Sequence, residues 1–381
     1  MTAPITCFTA LIDIAEDEQC EELEDFLRGK GAQITSTNDT ELLPRLQHII
    51  DNSHVVFQQR DIPQQELEGF FYSVVSLFHI VTPDQANGIV QSFCDKLAAK
   101  DNEENINLRL RLLGLVFCHF PDKDPLRYIV FCNLVRLAGR TSLTGSLQLD
   151  MDKVCKWTEL WELEAAKKRE MFLLLWGAYQ NSTDLKLSSR ILTELLSTYS
   201  STDAPEADPT LVERLVVLVI SDSTQFVFDH LISLPALTAL KTHNIYKLLY
   251  IFVAERLSSF MTFYQENKDF VSNLGLQESY CVEKMRQLTL VSLAMETGEI
   301  PFSRLAEELH LPENQLEQFV INAVRLKLIE ARINQTSKTL VIRTSIYRTF
   351  GSTQWKLLHD RLSSWQQCVN SVKTSLNTVK T

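Results

Sequence analysis

The chain has 381 residues, of which 45% are hydrophobic and 22% charged, and a formal net charge of −11. That is too much polypeptide for one ordinary core, so two or three packed units or a repeat array are expected. Scarce turn residues (11 glycines, 11 prolines) argue against a β-sandwich or barrel, and the acidic balance sets the chain against general binding of phosphate backbones.

Residues 8–14 form a short apolar run with no basic residue before it and Glu16, Asp17 and Glu18 behind it, a poor signal peptide. No stretch approaches the length of an uninterrupted apolar membrane span, so a soluble cytoplasmic protein with no membrane partner is expected. Gly29-Lys30-Gly31 reads as a helix C-cap with glycine in the left-handed region. Thr82-Pro83-Asp84 supplies an N-cap, a proline in the first turn and an acid, ahead of Ala86, Ile89, Val90, Phe93 and Leu97 at helical spacing. Ile106, Leu110, Leu113 and Phe117 predict the next helix face. Asp124-Pro125 starts another, with Tyr128, Cys132 and Val135 on one side, and Asp208-Pro209 starts one with Leu211, Leu215 and Leu218. Residues 141–148 and 200–209 read as longer loops, and the Pro-, Ser- and acid-rich second loop is the better boundary. Such helices cannot bury their faces singly; stacked pairs in an α-solenoid bury them continuously, here without a fixed repeat consensus. The fold class is therefore mainly α, with N-terminal helical repeats over residues 1–205.

The pattern changes after about residue 275. A helix is predicted over residues 282–295, then the extended piece Glu299-Ile300-Pro301 and a short helix with Leu305, Ala306 and Leu309 inward. Leu311-Pro312-Glu313 restarts the chain, with proline at the first helical position. The following helix turns Leu316, Phe319, Val320, Ala323 and Val324 to one side. Alternation follows: Ile329, Ala331 and Ile333, a polar turn, then Leu340 and Ile342. This is the order of a winged helix, whose hairpin edge, marked by those five residues, can accept a strand from a partner. The last segment is a heptad seam of Trp355, Leu358, Leu362, Trp365, Val369, Val372, Leu376 and Val379, flanked by polar residues. So narrow a seam must be buried against something, and a bundle with partner helices is the natural answer.

Chemistry has no visible seat. The eight cysteines form no C-x-x-C pair and read as reduced, buried thiols. The histidines are dispersed, and no zinc-protease, phosphate-loop, dinucleotide or nucleophile-elbow motif occurs, so no cofactor, metal or catalytic residue is assigned. Adjacent acids such as Glu103-Glu104 and Glu307-Glu308 read as solvated helix faces. In DNA-reading winged helices the third helix is basic. Here its exposed positions include Glu313, Asn314, Gln315, Glu317, Gln318 and Asn322, with Arg325 and Lys327 only at its end, which speaks against direct nucleic-acid reading.

Helical repeats feeding a winged helix and a long terminal helix resemble the PCI family, the scaffold subunits of the proteasome lid, the COP9 signalosome and translation initiation factor three. Within that family, several segments are similar to the subunit M branch of the initiation factor: Phe228-Asp229-His230-Leu231, the run from Phe263 to Phe270, Lys284-Met285-Arg286, Phe319-Val320-Ile321, Ala323-Val324-Arg325, Arg348-Thr349-Phe350-Gly351 and Gln354-Trp355. The resemblance implies a PCI domain over 206–348 (helical part 206–280, winged helix 281–348) and a C-terminal bundle helix over 349–381. It also implies a non-catalytic scaffold packed among PCI and MPN subunits, reaching the small ribosomal subunit and messenger RNA through the complex. PCI architecture alone leaves a COP9 signalosome subunit open. A nucleic-acid-binding winged-helix regulator and an enzyme with an unrecognised site remain the readings from other classes.

Overall fold

The computed structural model describes residues 15–32, 42–58, 62–80, 83–99, 105–147, 149–180, 182, 184–200, 203 and 208–379. Its helices form two compact units, residues 1–183 and 184–381.

The first unit holds α1 (Glu16–Gly29), α2 (Leu42–Asn52), α3 (His54–Gln58), α4 (Gln64–Ser76), α5 (Pro83–Leu97), α6 (Ile106–His119), α7 (Leu126–Arg140), α8 (Met151–Leu160) and α9 (Ala165–Tyr179). Packing runs between helices close in sequence: α1 on α2 and α4, α5 and α6 on α7, α7 on α9. Such local pairing is how a helical-repeat array buries its faces. The core is a chain of aromatic contacts. Phe70, Phe71, Phe78 and Phe93 are buried, and Phe78 meets Phe93 edge-on at 5.4 Å. Further along, Trp157 and Trp161 stack at 6.0 Å beside Phe117 and Phe131. The Arg127 guanidinium lies 4.2 Å above the Phe117 ring while pairing with Asp122. α7 crosses α9 so closely that a Cβ on Gly139 would sit 2.8 Å from that of Ala178.

Local chemistry explains the element ends. α1 stops at Gly29, and Gly31 adopts φ +89° while Ala32 N donates back to Leu27 O at 3.0 Å, the left-handed stop expected from the glycines. Pro83 opens α5 as expected; Thr82, its expected cap, lies outside the described residues. Asp124-Pro125 starts α7 as expected, with Leu126 N donating to Asp124 Oδ1 at 2.9 Å, whereas Pro312 stands one position earlier than expected, as the cap of the helix Glu313–Arg325. The expected face of α6 is also rotated. Leu108, Leu112, Leu113 and Val116 are buried, whereas Ile106, Leu110 and Phe117 are half-buried. The loop at 141–148 contains a 3-10 turn, Thr144–Leu147, held by Tyr179 Oη donating to Thr144 O at 3.0 Å. Among the described cysteines, Cys20, Cys94, Cys132 and Cys281 are buried and Cys155 is half-buried, but Cys118 and Cys368 are exposed, because their helices turn those positions to solvent.

The second unit comprises α10 (Leu185–Ser197), α11 (Pro209–Ser221), α12 (Asp229–Ile232), α13 (Pro235–Ala239), α14 (Asn244–Ala254), α15 (Leu257–Glu266), α16 (Lys268–Asn273), α17 (Glu278–Glu296), α18 (Phe302–Leu309), α19 (Glu313–Arg325) and α20 (Ser352–Val379). It also carries a small sheet of β1 (Glu299–Pro301), β2 (Ile329–Asn334) and β3 (Thr339–Ser345). α11 begins as its sequence dictates: the Asp208 carboxylate accepts from Thr210 N at 2.9 Å and Pro209 occupies the first turn. α10 packs on α11, and α11 and α15 pack on α17. α17 is the core of the unit, with Cys281, Met285, Leu288, Leu290, Val291 and Leu293 fully buried.

The strands are antiparallel in the order β1-β3-β2, pairing Ile300 with Leu340 and Arg332 with Val341. The extended piece at 299–301 is thus a third strand beside the expected hairpin. A bulge interrupts the β2–β3 register between Glu330 and Ala331. On α19, Leu316, Val320 and Ala323 are buried and Phe319 half-buried. Val324, expected inward, is exposed, and so is Ile321, because each stands one residue, about 100° of turn, past the buried positions Val320 and Ala323.

Candidate partner-docking surface

Two buried cations organise the region from which the terminal helix leaves. Lys284, on α17, donates to Val219 O at 2.7 Å, Ile220 O at 3.0 Å and Asp222 O at 2.6 Å, closing the C-terminal end of α11. Its ammonium also faces the Phe226 and Phe228 rings. Burial pushes its pKa down to about 7, against the pull of the Asp222 carboxylate and the Cys281 sulfur.

Arg348 plays the corresponding part for α14. Nε donates to Phe252 O at 3.1 Å, Nη2 to Ile251 O at 2.9 Å and Phe252 O at 2.7 Å, and Nη1 to Ser292 Oγ at 3.1 Å. Burial pushes its pKa down to about 10, partly opposed by Glu255. Two residues on, Phe350 N donates to Asp229 Oδ2 at 3.0 Å, and Gly351 N to Gln354 Oε1 at 3.0 Å. Tyr347, Phe350 and Trp355 then meet edge to face at 5.6 and 5.0 Å. The root of α20 is therefore fixed by charge-assisted hydrogen bonds to one helix end and by a short aromatic ladder.

α20 runs for 28 residues in all, about 42 Å. From Trp355 to Lys373 every side chain described is exposed except half-buried Ser363. The seam is bare: Trp355 is 62% exposed, Leu358 38%, Leu362 52%, Trp365 67%, Val369 66% and Val372 58%. The side chains of Leu376 and Val379 lie outside the described residues. Six seam residues therefore share a stripe that no described residue covers, an apolar surface of the kind that marks a protein–protein contact.

The hairpin residues are placed differently. Ile329 and Leu340 are buried in the winged helix, Ala331 and Ile333 are half-buried, and Ile342 borders a groove beside β3. What the hairpin offers is its backbone edge more than these side chains. On α19, Glu313, Asn314, Gln315, Glu317 and Gln318 are exposed and Asn322 is half-buried. Glu313 binds Lys338 at 3.0 Å and so draws one cation of the wing away from the surface field. Sequence reasoning named Arg348, Lys284 and Asp229 only within segments of family resemblance and gave them no role. Each is a charged residue with no periodic signature, and its role depends on carbonyls or amides far away in the chain.

No group of three or more His, Cys, Asp and Glu side chains among the described residues could hold a metal ion. No described helix is long and apolar enough to cross a membrane.

Comparison with known proteins agrees with this arrangement. The PCI domain model matches residues 264–344, covering α17, the winged helix and the sheet. A model described as the eIF3 subunit M C-terminal helix matches residues 348–376, from Arg348 along the seam. The chain is 36% identical to human eukaryotic translation initiation factor 3 subunit M over 368 residues, spanning 96% of this chain and 97% of that protein. It is 34% identical to the Danio rerio protein of the same name over 97% of this chain and 98% of the relative. For the Nematostella vectensis protein the identity is 34% over 98% of each. With the family's domain, its terminal helix and near full-length identity all present, the chain belongs to the eukaryotic translation initiation factor 3 subunit M family.

Proposed function

We propose that the chain is a non-catalytic scaffold subunit of the translation initiation factor 3 complex, acting in the cytoplasm. There it supports assembly of the preinitiation complex and messenger RNA recruitment on the small ribosomal subunit. The observation that carries this reading is the bare seam on α20. Burying each of its leucines and valines is worth roughly 1.5–3 kcal/mol, which a lone chain forgoes and an assembled one gains. In this reading residues 349–381 join a bundle with helices of other PCI and MPN subunits, through Trp355, Leu358, Leu362, Trp365, Val369, Val372, Leu376 and Val379. The winged helix, residues 281–348, supplies a second contact along its hairpin. The chain works by holding neighbours in place, and its contribution to initiation is geometric.

The test is affinity purification of the tagged full chain beside a version ending at Gly351 and the point variant Leu362→Asp/Trp365→Asp. Initiation-factor subunits and small-subunit ribosomal proteins come down with the full chain and are lost from both variants. Recovery of the signalosome in their place removes the complex assignment. Unchanged recovery with the point variant removes the seam from the contact.

A further inference from the structure

The heptad register of α20 fixes which side chains flank its seam. With Trp355 at the first apolar position of a heptad (a) and Leu358 at the second (d), His359, Gln366 and Lys373 fall at e along one flank. Gln354, Arg361, Cys368 and Ser375 fall at g along the other. In a helical bundle the e and g side chains meet the neighbouring helix and set which partner it is. Arg361 and Lys373 are charged, His359 joins them when protonated, and no carboxylate stands at any of these positions. The one acid of α20, Asp360, is at f, on the side turned away from the seam.

These cations are not neutralised at home. Arg361 and Lys373 are exposed, and neither has an ion-pair partner among the described residues. They stand twelve residues, about 18 Å, apart on opposite flanks, so each side of the stripe carries one. The groove beside β3 brings Arg343 alongside Arg361 and no acid with it. In a chain of net charge −11 the docking helix is thus cationic, with Lys356, Arg361 and Lys373 against Asp360.

A second copy of the chain is a poor occupant of the stripe, because in either orientation it presents no e or g carboxylate to these cations. A phosphate backbone satisfies the cations but leaves Trp365, 67% exposed, and the valines beyond it in water.

We propose that the seam of α20 selects a partner helix whose own apolar stripe is flanked by glutamate or aspartate, with Arg361 and Lys373 pairing with those carboxylates. The inference rests on the bundle reading and adds the chemistry by which one helix is chosen over another. The apolar stripe supplies affinity and the flanks supply discrimination. Pairing at an exposed flank is worth little by itself. Reversing the partner's sign turns attraction into repulsion on both flanks at once, so the discrimination exceeds the strength of either pair.

The experiment titrates the full chain into two fluorescein-labelled helical peptides of the same 28-residue length as α20, read by fluorescence anisotropy at low salt. Both carry isoleucine at a and leucine at d. One carries glutamate at every e and g position and the other lysine, and like charges there keep each peptide from pairing with itself. The glutamate peptide binds about tenfold tighter than the lysine peptide, the preference fades at about 1 M salt, and Arg361→Glu/Lys373→Glu reverses the order. The two-peptide comparison uses the unaltered protein, so it decides the matter even where the double variant folds poorly. Equal binding of the two peptides overturns the proposal, as does an unreversed order in a folded double variant. So does self-association of the chain tighter than its binding of the glutamate peptide, read by sedimentation, or tighter binding of a uridine decanucleotide. Leu362→Asp/Trp365→Asp separates the two readings. If the parent binds both peptides alike and this variant binds neither, the seam docks helices and only the charge selection fails. If neither peptide binds the parent at millimolar concentration, the selection also fails, and recovery of subunits in the affinity purification still decides the bundle.

Discussion

Replacing Arg348 with methionine removes the guanidinium but leaves its acceptors where they are. Among the described residues, Phe252 O takes its hydrogen bonds from Arg348 alone, at 3.1 and 2.7 Å. Ile251 O keeps a second donor in Glu255 N at 3.0 Å, and Ser292 Oγ keeps its own bond to Leu288 O at 3.1 Å. The loss is therefore one buried carbonyl fully stranded and one partly so, plus the charge-assisted bonds themselves. A stranded buried acceptor costs about 1–3 kcal/mol. Relief from burying a guanidinium offsets only part of this, because the backbone carbonyl it leaves behind stays buried and unpaired. The expected destabilisation is about 2–4 kcal/mol. Arg348→Lys, which keeps the charge but not the planar fork, recovers about half. Equilibrium urea unfolding of the full chain measures both, with hydrogen exchange of the α14 peptides reporting whether that helix end loosens first. A methionine variant within about 0.5 kcal/mol of the parent would mean that the guanidinium is not the cap of α14.

Other expectations follow from the same packing. Gly139→Ala places a methyl 2.8 Å from the Ala178 Cβ and destabilises the first unit by about 1–3 kcal/mol in thermal unfolding, and the compensating Ala178→Gly restores most of the loss. Because the folded pKa of Lys284 lies near 7 against an ordinary 10.5, the unfolded chain holds a proton that the folded one releases as pH rises above 7. Stability from this group therefore increases with pH between about 7 and 10, and Lys284→Met removes that slope in urea titrations at pH 7 and 8.5 while lowering stability overall. Alkylation by iodoacetamide at pH 8, mapped by peptide mass, modifies Cys118 and Cys368 well before Cys94 and Cys132, whose thiols burial raises to about 12, and before Cys20 and Cys281, raised to about 11. Fast labelling of Cys94 would mean that the first unit opens locally.

What the sequence made legible was whatever repeats. The seam of α20 is readable because its apolar residues recur at heptad spacing and little else on the helix competes. The winged helix is readable because helical spacing gives way to alternation at Ile329. α6 was misread by a rotation: the run Leu108, Leu110, Leu112 and Leu113 satisfies more than one helical face, and only its packing against α7 chooses between them. Pairing of β1 with β3 joins residues about forty apart in sequence, which a three-residue strand cannot announce. Arg348 and Lys284 lay furthest from view. Each reads locally as one more surface cation, yet each closes a helix end, 96 residues away for Arg348 and 62 to 65 for Lys284. The groove was hidden for a related reason: it exists only where α17, β3 and α20 come together.

The fixed root of α20 has a mechanical consequence. The helix is a lever about 42 Å long, so a tilt of about 10° at its base displaces the far end by about 7 Å, more than one full helical turn. A heptad contact tolerates far less misalignment than that before its side chains lose register. Stiffness at Arg348 and Phe350 therefore sets the aim at the far tip, and a small slackening in the buried base would be read out as misplacement at the far end of α20.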